Sequence, residues 1–263
     1  MPRLVREVHC RDPLLSVVGW VHVALAALFL LGLAVDPRTV LGINPWVKPL
    51  KFALSITIYV WTIAWLLDDV RAAAPRATRL ISRVVALAMI AEIVGIAAQS
   101  VRGVPSHFNN ATSFDQAVFA LMGLFILTNT LMAVLLLVLY FRHPTRLPRP
   151  QLWGIRLGLI VFLLGSSIGG MMVGHGGHAV GVRDGGPGLP LVNWSREAGD
   201  LRVAHALGLH ALQVLPLLGW AVTRLRGLGE RRQVALTVAF AALYALTTGL
   251  LLAQALVGRP LLA

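Results

Sequence analysis

The sequence predicts an all-α integral membrane protein with seven transmembrane helices, its N-terminus cytoplasmic and its C-terminus extracytoplasmic. Three observations carry that reading. Of the 263 residues 57% are hydrophobic and only 13% charged. The mean hydropathy is +0.77, and apolar runs of about 20 residues, enough to cross a hydrocarbon core, recur along the chain. The arginines fall between those runs in alternate loops, as the positive-inside rule requires.

The spans follow in order. The first, 14–34, has basic residues before it and Asp36-Pro37-Arg38 directly after it, with no small-residue cleavage site. It therefore reads as a retained anchor rather than a removed signal peptide. The second, 49–67, is introduced by Asn44 to Lys51, a segment with two lysines and the interfacial ring of Trp46. The third, 80–100, carries an acid, Glu92, with Gln99 seven residues on and nearly in line with it. The fourth spans 116–140 and the fifth 152–173. The sixth, 201–223, starts after Asp200, a natural N-cap whose carboxylate suits the positive end of the helix dipole. The seventh is 233–257. Gly95 and Gly208 allow the third and sixth spans to pack closely. Residues 1–263 read as a single polytopic domain without internal repeats, and its longest connection is the loop 174–200.

Charge sets the expected orientation. Fifteen of the 23 basic residues lie in the N-terminal segment and in the loops around Arg71–Arg83, Arg142–Arg156 and Arg224–Arg232. Those loops belong inside a bacterial inner membrane, so the site described below faces the extracytoplasmic side. The net charge of +12 then reflects topology and attraction to anionic lipids of the bilayer, and no nucleic-acid partner is expected. The single cysteine, Cys10, makes no intramolecular disulfide.

Five histidines, His107, His175, His178, His205 and His210, fall toward one membrane face. Imidazole is the commonest metal ligand and the side chain most readily tuned to move protons near neutral pH. At 1.5 Å per residue Glu92 lies about 12 Å and His210 about 14 Å below the outer ends of their helices, so the two could share a level. An acid at such depth is costly and is by default a functional candidate. On the sixth span Arg202, His205, His210 and Gln213 fall in one arc of about 140° and are expected to face inward. The five-residue spacing of its histidines argues against both binding one ion, unlike the i, i+4 pairs of His-Glu-x-x-His helices.

These residues predict an outward-opening, histidine-rich site. In the leading reading a transition metal (zinc, copper or iron) is held by His107, His175, His178 and His205. Glu92 and His210 are the catalytic proton carriers, and Lys51, Gln99, Arg102, Arg202 and Gln213 bind substrate. Imidazole suits all three metals, and Met171 and Met172 beside His175 would favour copper. The reaction would be redox or hydrolytic, on a lipid-soluble or small periplasmic molecule. A haem version would place His210 opposite His22, although the 13- or 14-residue histidine pairs common in membrane b cytochromes are absent. The alternatives are a proton-coupled transporter of a small anionic substrate, and a scaffold or assembly subunit. The last span has neither the lysine of a retinal protein nor the His-x-x-x-His pair of the seven-helix zinc hydrolases.

Overall fold

The computed structural model describes residues 3–262; Met1, Pro2 and Ala263 lie outside the described residues. Seven helices are long and apolar enough to cross a membrane. They are α2 (Pro13–Val35), α3 (Val47–Arg71), α4 (Pro75–Arg102), α5 (Ser113–Arg142), α6 (Arg149–His175), α7 (Leu201–Val222) and α8 (Glu230–Leu256). An eighth, α1 (Arg3–Arg11), precedes them and was not expected from the apolar runs. Most of the long helices outlast their apolar cores. α4, for instance, continues through Arg76, Arg79 and Arg83, because the flexible stems of arginine carry their charges to polar surroundings while the backbone stays helical. The chain forms two compact units, Met1–Leu136 and Leu137–Ala263, divided within α5.

In the first unit α2, α3 and α4 are fastened at one end by Asp12. This residue caps α2 by accepting from the Leu15 amide at 3.0 Å, with Pro13 in the first helical turn where its missing N–H costs nothing. Its buried carboxylate also accepts from Ser82 of α4 at 2.9 Å and from Arg71 of α3 at 2.8 Å. At the Asp36 end, Arg38 and the indole of Trp46 donate to the Asp36 carboxylate. The Arg38 guanidinium holds that carboxyl well below the usual carboxylate range. α4 stops at Gly103, whose φ of 70° is the left-handed geometry of a helix C-cap. α5 starts with a reciprocal cap, in which the Asp115 amide donates to Thr112 Oγ1 and the Thr112 hydroxyl donates to Asp115.

The second unit is built on a seam of small residues between α6 and α7. A Cβ placed on Gly208 would lie 2.5 Å from the Gly165 Cα, and one on Gly154 would lie 2.5 Å from the Leu215 carbonyl oxygen. The two backbones touch, the usual route to helix association where lipid removes the hydrophobic drive. α8 packs Ala241 and Thr248 on this pair, and the Tyr244 hydroxyl donates to the Leu207 carbonyl at 2.7 Å. The segment between α6 and α7 folds on itself. Its ends pair as β1 (Ala179–Val180) and β2 (Gly199–Asp200), antiparallel, with a further bridge between Gly188 and Ser195.

Candidate functional site

Glu92 sits on the buried face of α4, only 1% exposed. Ten residues separate it from Arg102 at the helix end, a rise of about 15 Å, and the partner that reaches it comes from the loop beyond. That loop turns at Gly103 and again at Phe108, whose φ is 55°, and it buries Ser106 and Asn109. It thereby dips back toward the membrane core and sets His107 Nε2 3.7 Å from Glu92 Oε1. This separation exceeds a hydrogen bond and falls within the range of a charge pair. The other ring nitrogen lies 3.1 Å from the Ser106 hydroxyl. With Ser106 donating to Nδ1, the ring proton sits on Nε2 and faces the carboxyl.

Three phenylalanines frame the imidazole, with ring centres 6.0 Å (Phe52), 6.2 Å (Phe108) and 5.9 Å (Phe119) away. Lys48, in the first turn of α3, stands 5.9 Å from the Phe52 ring and acts on Glu92 through its charge. Glu92 Oε2 is buried and has no hydrogen-bond partner among the described residues. An unpartnered carboxyl oxygen in such a setting costs free energy, which makes it a candidate for function.

The remaining expected substrate residues of this unit are otherwise engaged. Gln99 donates to Asp115 at 2.8 Å, and Arg102 bridges Gln99 and Asp115 while standing over the Phe114 ring. Arg102 thus neutralises a carboxylate that is 2% exposed. Lys51 is half-buried on α3. His22 of α2 is fully buried, its Nδ1–H donating to the Val18 carbonyl at 2.8 Å.

In the second unit each expected ligand has its own partner. His175 ends α6 and donates from Nε2 to the Ala179 carbonyl at 2.9 Å. His178 donates from Nδ1 to Asp184 at 2.8 Å, and the amides of His178 and Ala179 donate to the same carboxylate. Burial alone would raise the Asp184 carboxyl. The hydrogen bonds and charge of His178, with the two amides, overcome this and hold it well below the usual range. His205 donates from Nδ1 to the Gly165 carbonyl at 2.8 Å across the α6–α7 seam. Arg202 closes on Asp200 through Nε at 2.9 Å and also reaches the Asn193 carbonyl.

The inward polar arc expected on α7 is not found. Gly208, Ala204 and Ala211 are the buried residues at this level, Gln213 is half-buried, and His210 is exposed. Small residues win the inner face because they let the backbones meet. Among the described residues no group of three or more His, Cys, Asp or Glu side chains is placed to hold a metal ion.

Lys48, Ser106 and the phenylalanines escaped the sequence reading as site residues. Only the paired lysines and the cluster of polar and aromatic residues at 105–110 hinted at them. Comparison with protein-family models, with curated proteins and with solved structures finds no match.

Proposed function

We propose that the chain is an acid–base membrane enzyme whose working groups are Glu92 and His107. It exchanges a proton with a small or lipid-soluble substrate. The observation that carries this reading is the buried Glu92 carboxyl, with one oxygen unpartnered and the other 3.7 Å from an imidazole. Glu92 takes the proton, His107 supplies or relays it, Lys48 steadies the negative form, and Phe52, Phe108 and Phe119 give an apolar approach for a molecule arriving from the bilayer. We place it in the bacterial inner membrane with this site on the extracytoplasmic side, as the arginine distribution supports.

A second reading, a proton-coupled carrier of a small anion, is favoured by Lys48 beside the acid. It is weakened because Arg102 and Arg202 are engaged by Asp115 and Asp200. Elemental analysis and an optical spectrum of the purified chain test a metal-dependent or haem enzyme, which no group of three or more ligand-type side chains favours among the described residues.

The test is turnover of a bacterial polar lipid extract by the reconstituted chain in heavy water, read by mass spectrometry as deuterium gained or products formed. Glu92→Gln and His107→Gln are each expected to reduce turnover by about 100-fold, the usual scale for a general acid–base group. Equal turnover in the parent and both variants overturns the reading. A parent that changes no lipid but takes up protons when small organic anions are added replaces the enzyme with the carrier.

A further inference from the structure

Between Asp115 and Asp184 the chain has no acidic residue, while Arg142, Arg146, Arg149 and Arg156 all fall around the α5–α6 turn. The first three are exposed; Arg156 lies two turns into α6 and is half-buried. Its guanidinium reaches the last turn of α5, where Nε and Nη2 donate to the Tyr140 carbonyl at 3.1 Å and 2.7 Å. In a continuing helix that carbonyl would accept from the amide of residue 144, but residue 144 is proline and has no N–H. One edge of the arginine fork thus serves the end of a helix.

The other edge has no such use. The two bonds to Tyr140 leave both hydrogens of Nη1 and one of Nη2, and Arg156 makes no further hydrogen bond and no ion pair among the described residues. Two rings stand beside it, their centres 4.6 Å (Phe141) and 5.4 Å (Trp153) from the guanidinium carbon. Aromatic faces attract a cation without neutralising it. Phe141 is 50% exposed, so in a bilayer this side of the group is open to lipid. A half-buried cation without a counter-charge is costly. At the end of a membrane-length helix, the abundant anion is the phosphate of a lipid headgroup.

We propose that Arg156 is the phosphate-binding residue of a phospholipid site, in which Nη1 and the remaining N–H of Nη2 donate to two phosphate oxygens and an acyl chain runs beside Phe141. The planar fork matches two acceptor oxygens as a point charge does not. The occupant is a lipid rather than a soluble anion because both rings adjoin the cation and both helices are of membrane-spanning length. No carboxylate pairs with Arg156 to receive a cationic headgroup, so an anionic phospholipid binds better than a zwitterionic one. The site lies wholly in the second unit and is independent of Glu92.

The test is native mass spectrometry of the purified full-length chain titrated with phosphatidylglycerol, phosphatidylcholine or a neutral glucosyl diacylglycerol. The parent is expected to bind phosphatidylglycerol most tightly and the phosphate-free glycolipid most weakly. Arg156→Gln is expected to weaken phosphatidylglycerol about tenfold, the scale of one lost charge-assisted contact. Arg156→Lys, which keeps the charge but not the fork, is expected to weaken it about threefold. Arg146→Gln, at an exposed position of the same turn, is expected to change it by less than about twofold. Should Arg156→Gln fail to fold for want of the Tyr140 contact, Arg156→Lys carries the test, and parent-like binding by it overturns the site. Parent-like binding by a folded Arg156→Gln, or an equal loss in Arg146→Gln, overturns the site in favour of diffuse attraction to a basic surface. Equal binding of the glycolipid overturns the phosphate assignment, and displacement of phosphatidylglycerol by millimolar inorganic phosphate overturns the lipid.

Discussion

The two units treat buried polarity in opposite ways. In the second, the polar groups expected to form a site are closed off: His175 on Ala179, His178 on Asp184, His205 on Gly165 and Arg202 on Asp200. In the first, Glu92 and His22 are at least as deeply buried, yet each keeps an unpartnered atom. Hydrogen-bonded histidines and arginines of the first kind hold backbone in place. Orphaned titratable atoms of the second kind are the costly arrangement, and cost without structural return is the mark of a working site. We therefore read the histidine-rich half as framework and expect chemistry in the half that buries Glu92 and His22.

The contrast breaks most readily at the α6–α7 seam. If the second unit is framework, its integrity depends on backbone contact, and Gly208→Val places carbon where the Gly165 Cα already lies. The expected cost is about 3 kcal/mol, read as loss of monodisperse protein in detergent. A variant that survives with an unchanged melting temperature would show the seam to be loose and return His205 to the list of mobile, reactive groups.

The loop of the second unit provides a smaller and pH-dependent test. Asp184 gathers two amides and an imidazole, so Asp184→Ala is expected to cost about 2 kcal/mol of loop stability, seen as faster amide exchange at His178 and Ala179. Because the folded carboxyl is held below its ordinary value, its contribution is full above the unfolded value of about 4. That contribution is lost only as pH falls further, through the folded value. The parent's protection of these amides, the exchange rate taken relative to the intrinsic rate at each pH, should be flat from neutral pH to about 5 and fall in stronger acid, while the alanine variant shows no such fall. Protection that is lost already near pH 6 in the parent would instead point to His178 as the controlling group.

How much of this was legible differs between the fold and the site. The seven spans could be read because runs of Leu, Val, Ile and Ala of membrane length have few other uses. α1 could not, since nine residues rich in charge carry no such signal. Which face of each helix turns inward was hidden, because these helices are apolar on nearly all sides. On α7 the polar arc misled: the inner face went to Ala204, Gly208 and Ala211, and His210 was left exposed. Glu92 was legible as an acid within an apolar span, and it is buried. Its partnership with His107 depends on a loop folding back over about 15 Å of helix, set by the left-handed geometry at Gly103 and Phe108, which no periodicity encodes.

The smallest expected effects sharpen the comparison most, because they have opposite signs. His205→Asn removes the bond to the Gly165 carbonyl and is expected to lower stability by about 1 kcal/mol while leaving any lipid turnover as in the parent. Glu92→Gln replaces a buried acid, whose second oxygen has no partner, by a neutral amide of nearly the same shape. It is expected to leave stability within about 1 kcal/mol of the parent, on the favourable side, while turnover is lost. A framework group trades only stability, and a working group trades only function. Were His205→Asn to abolish turnover while Glu92→Gln merely destabilised the fold, the assignment of the two units would have to be exchanged.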